Sequence, residues 1–295
     1  MKLFLIFTAF IAAFSGLKNP EQTIGNRSFY NCSSIYQEKN LRLIWSDEFN
    51  NYGAPDTTKW EFENGFVRNK EDQWYQKENA ICKGGYLVIT GKRQHQLNPN
   101  FVSGSNNWQT NRKYIEYTSA SLKQKKIHAF KYGRVLVRAK ITATQGLWPA
   151  IWTLGVSGNW PYNGECDIME YYKDGLHANF AHGSLKANKP VWNGVFKKME
   201  TIGNPNWDKN FHVWRLDWSE DRMEIYVDDL LLNSINLSET KNLTNGVNPF
   251  KQAHYLILNL ALGGENGGSL SKTKFPSKYL IDYVRIYQAI DANKG

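Results

Sequence analysis

Residues 134–141 read Arg-Val-Leu-Val-Arg-Ala-Lys-Ile, so that Val135, Val137, Ala139 and Ile141 alternate with mostly longer or charged side chains. Alternation with a period of two is typical of a β-strand that has one buried face. The same period recurs in four further stretches: residues 87–89, 222–227, 256–262 and 280–287. Gly, Asn, Asp and Pro clusters separate these runs, and no long stretch shows the apolar spacing of a helix. The sequence therefore predicts an all-β fold of antiparallel strands, in a sandwich or a barrel.

The length and composition favour one globular domain. The chain has 295 residues, of which 21% are charged and 41% are hydrophobic. These proportions exclude a largely disordered chain and a polytopic membrane protein. We interpret the polar residues 16–38 as a leader or linker, because they show no clear period. Residues 39–295 contain no repeat or second linker, and they are predicted to form one β-sandwich domain.

The amino terminus has the pattern of a secretory signal peptide. Lys2 precedes an apolar run from Leu3 to Phe14, which is too short to span a bilayer as a helix. Small residues flank Phe14, so we place cleavage near Ser15 and residues 1–15 in the signal peptide. An apolar first strand is the alternative. We expect a secreted protein, extracellular or periplasmic, with no membrane association after cleavage.

The aromatic content and the net charge indicate which kind of molecule the protein binds. Aromatic residues make up 14% of the chain, including 11 Trp, which is more than one core needs and suits a surface for sugar rings. The net charge is +9, but the basic residues are scattered, and the densest cluster is only Lys123, Lys125 and Lys126. We therefore expect no nucleic-acid partner, whereas an anionic polysaccharide remains compatible with the charge.

The three cysteines do not define a disulfide framework. Cys166 lies in a strand-like stretch and is expected to be a small buried thiol. Cys32 and Cys82 could pair in an oxidising compartment, and the sequence leaves that pairing open.

Residues 164–172 read Gly-Glu-Cys-Asp-Ile-Met-Glu-Tyr-Tyr and place three acids within six positions. On a regular strand Glu165 and Asp167 share a face, while Glu170 points the opposite way. A one-residue bulge at Ile168–Met169 would return Glu170 to the face of Glu165. Crowded carboxyls raise one another's pKa values, which suits a general acid beside a nucleophile. A solvated acidic strand face is the alternative.

Two tryptophans precede the acidic stretch. Trp148 and Trp152 are four residues apart in the sequence Trp-Pro-Ala-Ile-Trp, so they share a face in an extended segment. On the face that carries the acids, the two indoles would form stacking platforms for sugar rings. Packing in the core is the alternative for either ring.

An ordered set of motifs resembles glycoside hydrolase family 16, in particular its laminarinase-like β-glucanase branch. The set is E-x-D-x-x-E at 165–170, W-P-A-x-W at 148–152 and Asp-Tyr-Val-Arg-Ile-Tyr at 282–287, and the resemblance begins near Leu43. It implies a two-sheet, concanavalin-like jelly roll with a concave substrate cleft, and endo-hydrolysis of glucans or galactans with retention of configuration. It also implies that Glu165 is the nucleophile, Glu170 the acid/base and Asp167 the carboxyl that tunes Glu165.

The resemblance extends to binding residues. Asn69, within the segment 68–75, matches a position that contacts sugar on the glycone side, and Arg68 and Trp74 are candidates in the same segment. His182 resembles a position near the +1 sugar, with His177 as a structural alternative. Independently of the resemblance, Trp108 and Trp192 lie in Asn- and Gly-rich surroundings and are expected to rim the cleft.

The family resemblance also suggests a structural Ca²⁺ ion. Glu48, the Gly85 carbonyl and Asp282 match its ligands by position, and hard cations prefer such oxygen ligands. A salt-bridged or solvated Asp282 is the alternative. No cofactor is required by the expected chemistry.

Taken together, the sequence predicts a monomeric, secreted endo-β-glucanase that acts on β-1,3- or mixed β-1,3-1,4-glucans. A galactanase of the agarase or carrageenase type is the rival enzyme, and sulfated substrates would suit the +9 charge. A non-catalytic β-glucan-binding protein is the rival from another class, although such a protein has no need of all three carboxyls.

Overall fold

A computed structural model describes residues 40–186, 189–203 and 205–290, all of which belong to one compact unit. The predicted signal peptide and leader, together with Cys32, lie outside these residues. Cys82 and Cys166 are buried free thiols. Within the described ranges there is no helix with the length and apolarity that crossing a membrane requires.

The described residues are almost entirely strands and loops. The one α-helix there, Gly264–Gly267, is four residues long. Short 3-10 turns lie at Lys77–Asn79, Lys126–His128, Met199–Thr201, Trp207–Lys209, Leu237–Glu239 and Pro249–Lys251. The strands are β1 Leu41–Asp47, β2 Trp60–Phe62, β3 Gln73–Tyr75, β4 Ala80–Cys82, β5 Leu87–Leu97, β6 Tyr114–Ser119, β7 Ser121–Gln124, β8 Gly133–Lys140, β9 Leu147–Gly155, β10 Glu165–Tyr172, β11 Gly175–Gly183, β12 Pro190–Lys198, β13 His212–Trp218, β14 Arg222–Val227, β15 Leu230–Asn236, β16 His254–Leu262 and β17 Ser277–Ala289.

These strands form two sheets, as predicted for a sandwich. One sheet has ten strands in the order β15-β14-β13-β8-β17-β5-β6-β3, with β1 paired to β17 and β4 paired to β5. The other has seven strands in the order β12-β11-β10-β9-β16-β7-β2. The pairs are antiparallel except for β3 with β6. The all-β, two-sheet prediction is confirmed.

The core between the sheets is made from the faces that the alternation predicted. Val135, Val137 and Ala139 of β8 are at most 1% exposed, and they pack in one cluster with Leu256 and Leu258 of β16. Burying each Val or Leu side chain of this cluster stabilises the fold by about 1.5–3 kcal/mol. The alternate residues of the seven-stranded sheet therefore face outward, and this outer face carries the functional site.

Candidate active site

Strand β10 lies near the middle of the seven-stranded sheet, between β9 and β11, and its ladder is interrupted by a bulge. Asp167 pairs with Asn179 of β11, whereas Glu170 pairs with His177, so the two β10 residues between these pairs oppose a single residue of β11. The register with β9 shifts at the same place, between Asp167 and Met169. The bulge predicted at Ile168–Met169 is confirmed. It turns Glu170 to the same face as Glu165 and Asp167.

That face opens into a cleft of about 650 Å³. All three carboxylates of β10 line it. The other lining residues are mainly aromatic or amide side chains: Arg68, Asn69, Trp148, Trp152, Leu154, Trp160, Tyr172, Asn179, Trp192 and Asn266. A concave site with apolar walls and a few convergent polar groups is the usual form of a small-molecule or oligomer binding site.

Glu170 is held from two sides. The indole N–H of Trp148 donates to its Oε1 at 2.7 Å, and the amide of Asn179 donates to its Oε2 at 3.1 Å. Burial, together with the charge of Glu165, raises the pKa of Glu170 to about 7, even though the hydrogen bonds from Trp148 and Asn179 act against that rise. A carboxyl with a pKa near neutrality can give and take a proton under physiological conditions.

Asp167 and Glu165 form a hydrogen-bonded pair beside Glu170. Burial raises the pKa of Asp167 well above its ordinary value, and the charges of Glu170 and Glu165 add to the rise. Burial also raises the pKa of Glu165, but hydrogen bonds from Trp160 and Asp167 oppose it. Asp167 therefore holds a proton that it donates to Glu165, and Trp160 donates a second hydrogen bond at 2.5 Å. This arrangement leaves Glu165 as the carboxyl best able to act as a nucleophile.

The four tryptophans of the cleft differ in what they offer a ligand. Trp148 and Trp152 line it as predicted, but only 5% and 8% of their surfaces are exposed. Trp152 is fixed by a 2.7 Å hydrogen bond to Asn259. Trp160 and Trp192 are 41% and 50% exposed, so they present the larger ring surfaces. The sequence analysis placed Trp192 near the rim of the cleft but did not identify Trp160. The feature that could have identified Trp160 is its position in the turn that leads into β10.

The segment that begins at Arg68 reaches the cleft through a tight turn. Asn69 and Lys70 have left-handed backbone conformations, with φ of 54° and 48°, which Asn adopts more readily than most residues. Arg68 pairs with Glu63 and lies 5.0 Å from the centre of the Trp152 ring. Arg68 and Asn69 therefore form part of the cleft wall.

Two other aromatic candidates lie behind that wall. Trp74 is 6% exposed and packs edge-on against Phe66, and Trp108 packs on the same Phe66 ring. Neither residue lines the cleft. Their packing supports the segment that bears Arg68 and Asn69, so direct contact with substrate is not supported for Trp74 and Trp108.

The two histidines lie on opposite faces of β11, and neither of them lines the cleft. Alternation along β11 puts His177 on the face of Asn179, and His182 on the face of the core residue Phe180. His182 is 4% exposed and does not line the cleft. His177 stacks on Tyr172 with ring centres 3.6 Å apart, and burial lowers its pKa to about 4. This arrangement gives no support to a sugar contact for His182, and its place near the +1 sugar stays a prediction.

The residues expected to bind Ca²⁺ have other partners. Both oxygens of Glu48 accept hydrogen bonds from Arg285, at 2.9 and 2.7 Å, and Asp282 pairs with Arg138. No group of three acidic, His or Cys side chains among the described residues is arranged to hold a metal. Because an arginine neutralises each carboxylate, Glu48, Gly85 and Asp282 do not fit a cation site in this arrangement, and the ion stays a prediction.

Asn179 and Tyr172 are cleft residues that the sequence reasoning missed. A signal for Asn179 exists in the hairpin between β10 and β11. Its two turn residues, Lys173 and Asp174, both have positive φ, as in a two-residue type I′ turn. Such a turn fixes the register of the hairpin, and the predicted bulge then brings Asn179 opposite Asp167.

Comparison with known proteins identifies sequence relatives of this chain. The sequence model described as glycosyl hydrolases family 16 matches residues 92–285. The β-glucanase of Rhodothermus marinus is 32% identical over 268 residues, which cover 84% of this chain and 86% of that protein.

Solved structures with the same fold include two kinds of carbohydrate-active protein. One structure comes from work on endo-acting O-glycanases with which prominent members of the human gut microbiota initiate mucin breakdown. It has a TM-score of 0.77 and 36% identity, over 86% of this chain and 92% of the other. The laminarinase catalytic domain from Thermotoga maritima MSB8 has a TM-score of 0.72 and 29% identity, over 85% of this chain and 100% of the other.

Proposed function

Since the chain belongs to glycosyl hydrolases family 16, we propose that it is a secreted endo-β-1,3-glucanase, active on laminarin-type or mixed β-1,3-1,4-glucans with retention of configuration. The observation that carries this proposal is the β10 bulge, which brings Glu165, Asp167 and Glu170 to one cleft. The β-glucanase and laminarinase relatives support the glucan substrate. The apolar run from Leu3 to Phe14 supports export.

The first half of the reaction forms a covalent intermediate. Glu165 attacks the anomeric carbon while Glu170 gives its proton to the glycosidic oxygen, so the bond from carbon to the leaving sugar breaks. Asp167 donates a hydrogen bond to Glu165 and holds it in line for attack. The sugar is then joined to Glu165 through an ester.

The second half releases the sugar. Glu170, now a carboxylate, takes a proton from water, whose oxygen attacks the same carbon and displaces Glu165. The enzyme returns to its starting protonation state. Two displacements on one carbon restore the original configuration, so the product that first forms is the β-anomer.

The walls of the cleft suit a polysaccharide that lies across the sheet. The exposed rings of Trp160 and Trp192 offer apolar faces on which sugars can stack. Arg68, Asn69 and Asn266 supply hydrogen-bonding groups at the same cleft. The arrangement is consistent with binding inside a chain and with endo-cleavage.

The test is hydrolysis of a panel of polysaccharides by the full chain. We expect reducing sugar from laminarin and barley glucan, β-anomers in proton NMR spectra of early time points, and a loss of about 10³-fold or more in Glu165→Gln. An α-anomer as first product, or full activity in Glu165→Gln, would refute the mechanism. No hydrolysis of either glucan would refute the substrate.

A second candidate substrate follows from one comparison. The structure from the O-glycanase work matches with a higher TM-score and identity than the laminarinase domain described above. The +9 net charge would suit a sulfated galactan or mucin glycan. Agarose, carrageenan and mucin O-glycans therefore belong in the same panel, and faster cleavage of any of them than of laminarin would favour this alternative.

A further inference from the structure

The side chain of Asn179 bridges two carboxyls across the β10 bulge. Its Nδ2 lies 3.0 Å from Oδ2 of Asp167 and 3.1 Å from Oε2 of Glu170. An amide NH₂ group has two hydrogens and does not titrate, so it can donate to both carboxyls in every protonation state. The bulge makes this contact possible, because it brings the two cleft-facing acids opposite Asn179 and His177, which are successive positions on the same face of β11.

The neighbouring strand leaves room for this amide. Gly194 of β12 pairs with Asn179, and a Cβ atom added there would lie 2.6 Å from the Asn179 Oδ1 atom. The amide oxygen therefore points towards Gly194 and the NH₂ group towards the acids. The reverse orientation would set an oxygen against two carboxyl oxygens, which is unfavourable.

From this geometry we propose that Asn179 is a positioning residue of the reaction, which fixes the spacing of Asp167 and Glu170 and directs the acid/base carboxyl into the cleft, with Gly194 providing the space. This inference rests on the proposed hydrolase function. With Trp148 on Oε1 and Asn179 on Oε2, each oxygen of Glu170 has a donor, so its carboxyl plane is fixed.

Removing the amide has a defined effect on proton affinity. A donated hydrogen bond stabilises the carboxylate, so its loss raises the pKa of Glu170 above about 7. Glu170 must be protonated to cleave the glycosidic bond, and activity falls as pH rises through its pKa. The alkaline limb of the pH–activity profile therefore moves to higher pH when Asn179 is replaced.

The other groups around Glu170 do not produce the same limb. Burial lowers the pKa of His177 to about 4 and raises that of Tyr172, so both are neutral near pH 7. The remaining titratable or charged groups that face this part of the cleft are Glu165, Asp167 and Arg68. Arg68 stays charged throughout the pH range. The alkaline limb of the pH–activity profile therefore reports the ionisation of the cleft carboxyls.

Two variants of Asn179 test the proposal. In Asn179→Ala we expect the alkaline limb of kcat/KM to rise by about 0.5–1 pH unit. We also expect kcat to fall about tenfold, with KM changed by less than about threefold. Asn179→Asp keeps the shape of the side chain, but it adds a negative charge and removes the NH₂ group that donates the hydrogen bonds. We therefore expect the alkaline limb of kcat/KM to move further than in Asn179→Ala. A purely structural role would lower activity at every pH and leave the limb in place.

A second pair of variants tests the role of Gly194. Gly194→Ala would set a Cβ atom 2.6 Å from the amide oxygen of Asn179, so the amide has to rotate out of its geometry with the two carboxyls. The alkaline limb of the pH–activity profile then moves in the same direction as in Asn179→Ala, by a smaller amount. Asn193→Ala is the matched control, because this exposed neighbour lies on the opposite face of β12. It is expected to leave the profile unchanged.

Carboxyl carbon-13 NMR of the same proteins measures the pKa of Glu170 without substrate, with Glu170→Gln as the assignment control. An upward shift of that pKa in Asn179→Ala supports the inference, even if the wild-type protein proves inactive on every glucan and the proposed function fails. An unchanged pKa and an unchanged limb, in a variant that melts as the wild type does, would overturn it.

Discussion

At the scale of single residues, two opposing effects set the pKa of Glu170. Burial favours the neutral form of its carboxyl, and the hydrogen bonds from Trp148 and Asn179 favour the charged form. Its pKa of about 7 is the outcome. In the proposed mechanism turnover requires Glu170 in its protonated form, so we expect the rate to decline above about pH 7. Burial of a carboxyl that serves as a proton donor therefore has a cost in stability, which can be measured.

We expect Glu170→Gln to gain stability relative to the wild type as pH rises. A carboxyl whose pKa is raised on folding destabilises the native state once it ionises, with no effect well below pH 4.5 and the full effect above about pH 7. The shift from 4.5 to about 7 corresponds to about 3 kcal/mol at most. Urea denaturation of both proteins at pH 4 and pH 8 measures this, and a stability difference that is the same at both pH values would contradict it.

At the scale of the element, β10 separates structure from chemistry by its alternation. Cys166, Ile168 and Met169 are fully buried in the core, whereas Asp167 and Glu170 face the cleft. The bulge is the only departure from a period of two within this strand that the two ladders record. Adjacent residues of β10 should therefore give opposite phenotypes.

The neighbours Cys166 and Asp167 make a matched pair for this test. Cys166→Ala should lower the free energy of unfolding by about 1 kcal/mol and leave kcat within about twofold, because it removes only core volume. Asp167→Asn should lower kcat at least about tenfold and leave the melting temperature unchanged or higher. Calorimetry and initial rates on laminarin measure both properties. A strongly reduced kcat in Cys166→Ala would contradict the alternation.

At the scale of the whole molecule, the two sheets have different tasks. The seven-stranded sheet bears the cleft, and the ten-stranded sheet contains a buried ion pair. Arg134 of β8 donates to Asp217 of β13 at 2.6 and 2.9 Å, and their side chains are 3% and 0% exposed. Breaking a buried pair leaves a charge without compensation, which usually costs several kcal/mol.

Asp217→Asn should therefore reduce stability without reducing catalysis. We expect the free energy of unfolding to fall by about 3–5 kcal/mol, while kcat of the folded protein stays within about twofold. Asp229→Asn is the control, because this exposed residue lies in the turn between β14 and β15 of the same sheet. The measurements are thermal unfolding and initial rates at 25 °C. A loss of kcat in Asp217→Asn as large as that in Asp167→Asn would show that the ten-stranded sheet also contributes to catalysis.

The sequence by itself determined the fold class and the identity of the acidic strand. The period of two in residues 134–141 and 256–262 depends only on local backbone geometry, so it can be read along the chain. The position of the bulge could also be inferred, because only an extra residue reconciles Glu165 and Glu170 with one face. The motif set then indicated the family.

Only the tertiary structure decided which distant side chains meet those acids. Trp160 donates a hydrogen bond to Glu165, and Asn179 donates one to Glu170. Arg285 pairs with Glu48. Trp74 and Trp108 pack in a separate apolar cluster. These contacts depend on strand order, register and loop path. Local periodicity carries no information about them, because strands that are remote in sequence become neighbours only when the sheets assemble.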